Sequence, residues 1–301
     1  MNSLNAVWSA LKGTKARRMA VAAAADEQVL TAVSKACELG IAEAILVGDA
    51  AKIRQISGER GIDLSSFEII DEPDNTAAAR KAISLVSGGR ADVIMKGFLD
   101  SPVFLKAVLD KKIGIRKEGS IISAIAVMDM PQQKRLVFIT DPGFTPLPDL
   151  QTKKKLIENA VGVARKLGID CPKVAALCAV ETVSPKMIAT IEAKELEEMN
   201  QRGEIKDCVV AGPISLDLAL MESAAKHKGY DHPVGGKADI LLVPTLEVGN
   251  VLYKALAFFA NIPTGGIMTG ANAPIVFTSR ADTFETKLNT IALAMYLAQK
   301  G

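Results

Sequence analysis

Near the C-terminus, Thr278-Ser279-Arg280-Ala281-Asp282 brings a hydroxyl, a guanidinium and a carboxylate together within five residues. The run 275–278 before it is β-branched and aromatic, and reads as a strand. From Asp282 to about Gln299 apolar residues recur at Leu288, Ile291, Ala292 and Met295, the pattern of a helix. A strand thus delivers Ser279 and Arg280 immediately before a helix start. The backbone N–H groups there, the helix dipole and Arg280 would together hold an oxyanion or a phosphate. A second reading has Asp282 cap the helix, Glu285 complete a capping box and Arg280 face solvent. The two are compatible, because a capping Asp282 leaves Ser279 and Arg280 free.

Other strand-like runs also end in polar turns. These read Lys96-Gly97, Thr140-Asp141-Pro142-Gly143, Glu181-Thr182, Ala211-Gly212-Pro213 and Pro244-Thr245-Leu246-Glu247. One such turn means little, but six on one sheet edge suit a polar ligand, since open α/β sheets bind ligands beyond the carboxyl ends of their strands. Several chemistries drop out. No GxGxxG follows a strand, Gly265-Gly266 to Gly270 has the wrong spacing, and there is no GxxxxGK[ST] loop. His227 and His232 lie in a polar stretch and read as surface or loop residues. Cys37, Cys171, Cys178 and Cys208 form no CxxC pair and read as reduced, packed thiols, not metal ligands. The chemistry is left to Arg, Lys, Ser, Thr and carboxylates, with no metal expected.

The elements that must hold these groups alternate between strand and helix. Strand-like runs fall at 18–23, 43–47, 67–70, 91–95, 120–128, 136–140, 173–178, 207–211, 239–243 and 275–278. Asp26 precedes the apolar period Val29, Val33, Ala36, and Gly40 closes that helix; Ser184-Pro185 is expected to open another. This spacing predicts βαβ units and mostly parallel, helix-covered sheets. Ten strands are many for one open sheet, so the expected fold class is α/β with two α/β/α domains. The boundary is expected at 141–148, where Asp-Pro-Gly-Phe-Thr-Pro-Leu-Pro interrupts regular structure. That gives a first domain of 1–140 and a second of 141–284.

Composition narrows the class further. With 49% hydrophobic and 23% charged residues the chain is an ordinary globular protein, and a net charge of +2 gives no reason to expect nucleic acid. Lys153-Lys154-Lys155 reads as a solvated helix face. The segment 255–279 has no charge and is long enough to span a bilayer, but Asn261, Pro263, Gly265, Gly266, Gly270, Asn272 and Pro274 would leave backbone groups unpaired in lipid. Buried strands with intervening loops fit it better. Met1-Asn2-Ser3-Leu4 lacks the basic flank and apolar core of a signal peptide. A soluble cytoplasmic protein without a membrane partner is expected.

Several of these motifs stand together in a familiar order. Val210-Ala211-Gly212-Pro213 with Asp217, Ala238-Asp239 through Val243-Pro244, Glu247-Val248-Gly249-Asn250 with Tyr253-Lys254, and Pro274 through Ser279-Arg280 resemble the phosphate acetyl/butyryltransferase family. Upstream, Ala91-Asp92 with Lys96-Gly97 and Thr140-Asp141-Pro142 continue the resemblance, which covers roughly residue 90 to the C-terminus. The compact length and the Thr-Ser-Arg-Ala-Asp form resemble the butyryl branch more than the acetyl branch.

The resemblance implies two α/β/α domains with the active cleft between them, the C-terminal helix (285–301) returning to the first domain, and a homodimer or higher homo-oligomer. It implies acyl transfer between coenzyme A and inorganic phosphate, with acyl-CoA and phosphate as the partners, coenzyme A as substrate or product, and no metal or prosthetic cofactor. The family's serine and arginine carry over to Ser279 and Arg280. The acetyl branch has a catalytic aspartate seven residues after the serine, where this chain has Thr286. Glu285 is the neighbouring carboxylate and Asp282 lies a turn earlier, so the general base stays open, with Glu285 as candidate. Lys96 and Arg116 are candidates for further anion contacts. Thr140, Asp141, Asn250 and Asp282, all within the matching motifs, complete the expected substrate-binding set. Phosphate acetyltransferase, or a relative acting on another short acyl chain, is the nearest alternative activity; a non-catalytic two-domain binding module is the alternative from another class.

Overall fold

The computed structural model describes residues 1–279 and 282–300. The chain divides into two compact units, the first of Leu4–Ile122 and Gly265–Gly301, the second of Met1–Ser3 and Ser123–Thr264.

In the first unit α1 (Leu4–Leu11) leads into β1 (Arg17–Ala22), α2 (Glu27–Glu38), β2 (Ala42–Gly48), α3 (Ala50–Arg60), β3 (Glu68–Asp71), α4 (Asn75–Ser87), β4 (Val93–Lys96) and α5 (Ser101–Val108). Aspartates punctuate it. Asp26, Asp49 and Asp74 each accept the backbone N–H three residues on, satisfying a donor at the start of α2, α3 and α4. Gly40, at φ +70°, ends α2 in the left-handed region as the sequence predicts.

The second unit runs β5 (Ser123–Met130), β6 (Arg135–Thr140), α6 (Leu150–Lys166), β7 (Lys173–Leu177), α7 (Ile188–Gln201), β8 (Val209–Ile214), α8 (Leu216–Leu220), α9 (Glu222–His227), β9 (Ile240–Leu242) and α10 (Leu246–Lys254), which continues as a π-helical turn, Ala255–Phe259. Its strands lie in the order β5-β6-β9-β7-β8, parallel except for the β5–β6 pair. Buried Ala126, Met128, Ile139, Ala175, Ile214 and Leu241 belong to its core.

The chain then returns to the first unit with β10 (Thr264–Thr269), β11 (Ile275–Val276) and α11 (Phe284–Gln299). The order there is β3-β2-β1-β4-β11-β10, parallel except for β10 against β11. Right-handed crossovers put α2 and α3 on one face, because β1→β2→β3 steps outward; the return step to β4 puts α4 on the other. Consistent with this, α4 packs with α5, while α11 packs with α1 and α2. β4 is buried along its whole length, as a strand covered on both faces must be.

All ten strands read from the sequence are present, shifted by up to three residues at their ends. The uncharged stretch 255–279 resolves into the π-helical turn, β10 and β11, and no helix among the described residues is long and apolar enough to cross a membrane. Two local expectations fail. Ser184-Pro185 does not open α7, which starts at Ile188; the Ser184 N–H donates to Thr190 Oγ1 at 2.9 Å, so the pair forms a turn ahead of the helix. Lys153 is not part of a solvated face but 5% exposed, because its ammonium pairs with Glu192 on α7 at 2.5 Å.

Candidate active site

In the first unit the polar residues gather where β1, β4 and β11 end side by side. β4 lies between the other two, with Met95 opposite Val21 on one side and Val276 on the other. The connection after β1 leads to α2 and the one after β4 to α5, on opposite faces. Such a divergence opens a crevice at the carboxyl edge, the usual ligand position in this kind of sheet. Gly97, just after β4, has no room for a side chain: a Cβ would lie 2.4 Å from the Ala23 carbonyl oxygen. That close approach fixes the end of β4 against the end of β1.

Lys96 closes β4 with 9% of its surface exposed. Its Nζ lies 5.4 Å from the centroid of the Phe277 ring, within cation–π reach, and that ring stands 6.1 Å from the Phe104 ring. Two residues further on, Ser279 is exposed. Its backbone N–H donates to Asp282 Oδ2 at 2.6 Å, and the Asp282 N–H returns to the Ser279 carbonyl at 3.2 Å. Arg280 lies outside the described residues.

Asp282 is therefore occupied by Ser279 and is not the cap of α11. Thr283 is the cap: its Oγ1 accepts the Thr286 N–H at 3.1 Å and donates to Thr286 Oγ1 at 3.0 Å. Glu285 is exposed in the first turn of α11 and closes no capping box with Asp282. Arg116 is exposed on a different segment of the unit, in a single antiparallel bridge to Ala271.

Thr140, Asp141 and Asn250 come together in the second unit, where β6 and β9 end as parallel neighbours. Asp141 is 2% exposed and accepts four hydrogen bonds: from the N–H groups of Gly143 and Phe144 at 2.9 Å each, from the Ala124 N–H at 3.1 Å and from Thr145 Oγ1 at 3.0 Å. Burial pushes its carboxyl above the ordinary carboxylate range, while those hydrogen bonds pull the other way. With its acceptor positions taken by the protein, Asp141 shapes the 141–145 turn. Asn250 Nδ2 donates to the Pro142 carbonyl at 3.4 Å, and Thr140, fully buried, sends its hydroxyl to the Ala124 carbonyl at 3.5 Å.

The ends of β7 and β8 are likewise spoken for within the unit. Ser215 Oγ donates to Glu181 Oε1 at 2.5 Å, and Lys228 pairs with Glu181 at 3.1 Å and Asp217 at 3.3 Å. The serine hydroxyl and Lys228 hold the Glu181 carboxyl below its usual range. His227 is exposed at the end of α9 and His232 lies 3.7 Å from Glu197.

Comparison with known proteins decides the family. The family described as "Phosphate acetyl/butaryl transferase" matches residues 3–81 and 74–295. This chain belongs to the phosphate acetyl/butaryl transferase family. Within it, the phosphate butyryltransferase of Clostridium acetobutylicum is 47% identical over 99% of both chains. A phosphate acetyltransferase of Thermotoga maritima is 42% identical, over 94% of this chain and 96% of the relative. Among solved structures, a branched-chain phosphotransacylase from Enterococcus faecalis superposes with a TM-score of 0.84 at 32% identity, covering 94% of this chain and 99% of that one.

Two residues that matter to the site escaped the sequence reading. Phe277 enters only within the strand-like run 275–278, and no motif singles out Lys287. Lys287 is in fact 5% exposed, with Nζ at 2.5 Å from the Asp282 carbonyl and 3.0 Å from Gln28 Oε1. A signal was available: the start of a helix is the positive end of its dipole, where a cation needs a reason to be.

Proposed function

We propose that this protein is a reversible acyltransferase that passes a butyryl group from coenzyme A to inorganic phosphate, giving butyryl phosphate and free coenzyme A. The observation that carries the reading is the end-to-end likeness to a phosphate butyryltransferase in a chain whose sequence carries Ser279-Arg280 before its last helix. A phosphate oxygen attacks the thioester carbonyl and the new C–O bond puts negative charge on the carbonyl oxygen. Collapse of that tetrahedral centre breaks the C–S bond and releases the thiolate.

Both substrates are anions, so the residues around the reacting atoms must supply positive charge. Arg280 holds the phosphate, with charge-assisted hydrogen bonds contributing about 1.5–3 kcal/mol each. Lys96, largely withdrawn from water at the end of β4, adds a second cation close to the same edge. Ser279 offers its hydroxyl to the developing oxyanion; its backbone N–H is already engaged by Asp282. In reverse, Glu285 takes the proton of the coenzyme A thiol, and since a thiol of that type titrates at about 8.5 a modest base suffices. Asp141 and Asn250 act on substrate through the turn that they hold at the end of β6. The steps as written need no metal or prosthetic group. A cytoplasmic homo-oligomer completes the reading.

Acyl transfer to phosphate with acetyl-CoA is the second reading, favoured by the Thermotoga relative, and it keeps every role above. The test is an assay of acyl-CoA with varied phosphate, followed by colour formation from the released thiol. Phosphate-dependent thiol release is expected. Ligand binding without turnover would overturn the reading in favour of a non-catalytic module.

A further inference from the structure

We propose that Lys287 is a positioning residue that sets Ser279 for catalysis through Asp282; the inference rests on the role given to Ser279 above. Lys287 sits four residues after the cap Thr283, on the second turn of α11, with 5% of its surface exposed. Its ammonium has lost most of its water and lies near the positive end of the helix dipole, two conditions that oppose a cation. The acceptors that it has gained are neutral oxygens, the Asp282 carbonyl at 2.5 Å and Gln28 Oε1 at 3.0 Å. A surface carboxylate would stabilise a lysine more simply, so stability alone does not account for this arrangement.

Geometry does. Asp282 grips Ser279 at both backbone groups, its carboxylate taking the Ser279 N–H at 2.6 Å and its own N–H reaching the Ser279 carbonyl at 3.2 Å. Lys287 in turn holds Asp282 by the carbonyl. Gln28 lies in the first turn of α2, which follows β1, so the ammonium ties the β1–α2 connection to the β11–α11 connection. In the sheet those two strands flank β4, whose last residue is Lys96. The clamp therefore spans the carboxyl edge on which Lys96 stands, and it ends on the residue that presents the hydroxyl. A hydroxyl that must meet an oxyanion at hydrogen-bond distance loses most of its effect when displaced by about an ångström.

The test is a kinetic double-mutant cycle on the full-length enzyme, with butyryl-CoA and phosphate each varied, comparing parent, Ser279→Ala, Lys287→Met and the double variant. Lys287→Met is expected to lower kcat about tenfold or more while KM for butyryl-CoA moves less than about threefold. Lys287→Arg, which keeps a buried donor, is expected to recover part of the loss. In the Ser279→Ala background, Lys287→Met is expected to cost no more than about a further twofold, since the group that it positions is gone. Losses that multiply, or a single variant within about twofold of the parent, overturn the proposal. Should Lys287→Met fail to fold, Gln28→Leu replaces it in the cycle; it removes one acceptor and leaves the lysine, and the same non-additivity is expected. If Ser279→Ala is itself harmless, the Ser279 role falls first; if it is damaging and the cycle is additive, only Lys287 falls.

Discussion

Gly249 stands so close to Asp141 that a Cβ on it would lie 2.9 Å from the Asp141 carbonyl oxygen, with Val243 Cγ2 at 2.8 Å and Pro142 Cα at 2.9 Å. Two of those three neighbours are backbone and cannot turn aside. Gly249→Ala must therefore push α10 off the turn after β6 and carry Asn250 away from the Pro142 carbonyl. The expected cost is about 1–3 kcal/mol of stability, as for other overpacked sites. Urea unfolding checks it, and a midpoint equal to that of the parent would mean that the turn yields freely.

Buried Cys208 and half-buried Cys37 and Cys178 predict how stability depends on alkaline pH. Burial pushes Cys37 up to about 12, Cys178 to about 11 and Cys208 to about 12, from an ordinary 9.0. Above pH 9 the unfolded chain releases these protons while the native state keeps them. The native state then binds more protons, so their contribution is complete below the unfolded thiol value and is lost as pH rises through about 11–12. Urea midpoints measured from pH 8 to 11 should fall more steeply for the parent than for a variant with serine at all three positions. Parallel curves would show that the thiols do not contribute. Cys171, which is exposed, should react with iodoacetamide before the other three.

Thr283 and Asp282 separate stability from activity. Thr283→Ala removes the side-chain acceptor for the Thr286 N–H, and loss of such a cap costs about 1 kcal/mol. Asp282→Ala leaves the cap in place and removes the acceptor of the Ser279 N–H, so it should lower turnover more than the melting temperature. Thermal unfolding and steady-state kinetics on the two variants check both. A larger stability loss in Asp282→Ala would return the capping role to the aspartate.

Why the sequence misjudged that cap is a matter of competing partners. Asp282 and Thr283 are both good N-caps by residue type, and only the folded chain reveals that Ser279 claims the aspartate. The strands were legible because buried parallel strands form short β-branched runs, and Asp26 with Gly40 marked α2 by local chemistry alone. Lys287 and Lys153 were not legible, since a lysine tied to a distant residue looks the same in sequence as one in water. Lys96 could be picked out by its place at the end of a strand, but its ring partner Phe277 follows β11, a neighbouring strand far along the chain.

Ser279 and Arg280 should fail in different ways when replaced. On the proposed role, Arg280→Ala removes the cation that holds phosphate and should raise KM for phosphate above all. Ser279→Ala removes a donor needed mainly in the transition state, so turnover should fall about 10²–10³-fold with smaller changes in KM. Steady-state kinetics at varied phosphate distinguish the two. An unchanged phosphate KM and turnover in Arg280→Ala would take the arginine out of the site, and turnover within about twofold in Ser279→Ala would end the oxyanion role.

Chain length is the last prediction, and here physics bounds the answer. Relatives of this chain carry butyryl, acetyl and branched-chain names, so family membership alone does not fix the acyl group. The two methylenes that distinguish butyryl from acetyl gain about 0.8 kcal/mol each when buried, together about 1.6 kcal/mol, or roughly 15-fold in kcat/KM. A tightly fitting acyl site would exceed that figure, and a wide one would also accept valeryl or branched chains. The expected result is a preference for four-carbon over acetyl-CoA of about tenfold or more, with neighbouring chain lengths also turned over. Thiol release measured with acetyl-, propionyl-, butyryl- and valeryl-CoA at saturating phosphate gives the profile. Equal or better activity with acetyl-CoA would move the protein to the acetyl reading and leave the roles of Ser279 and Arg280 untouched, because the roles proposed for them concern the carbonyl oxygen and the phosphate.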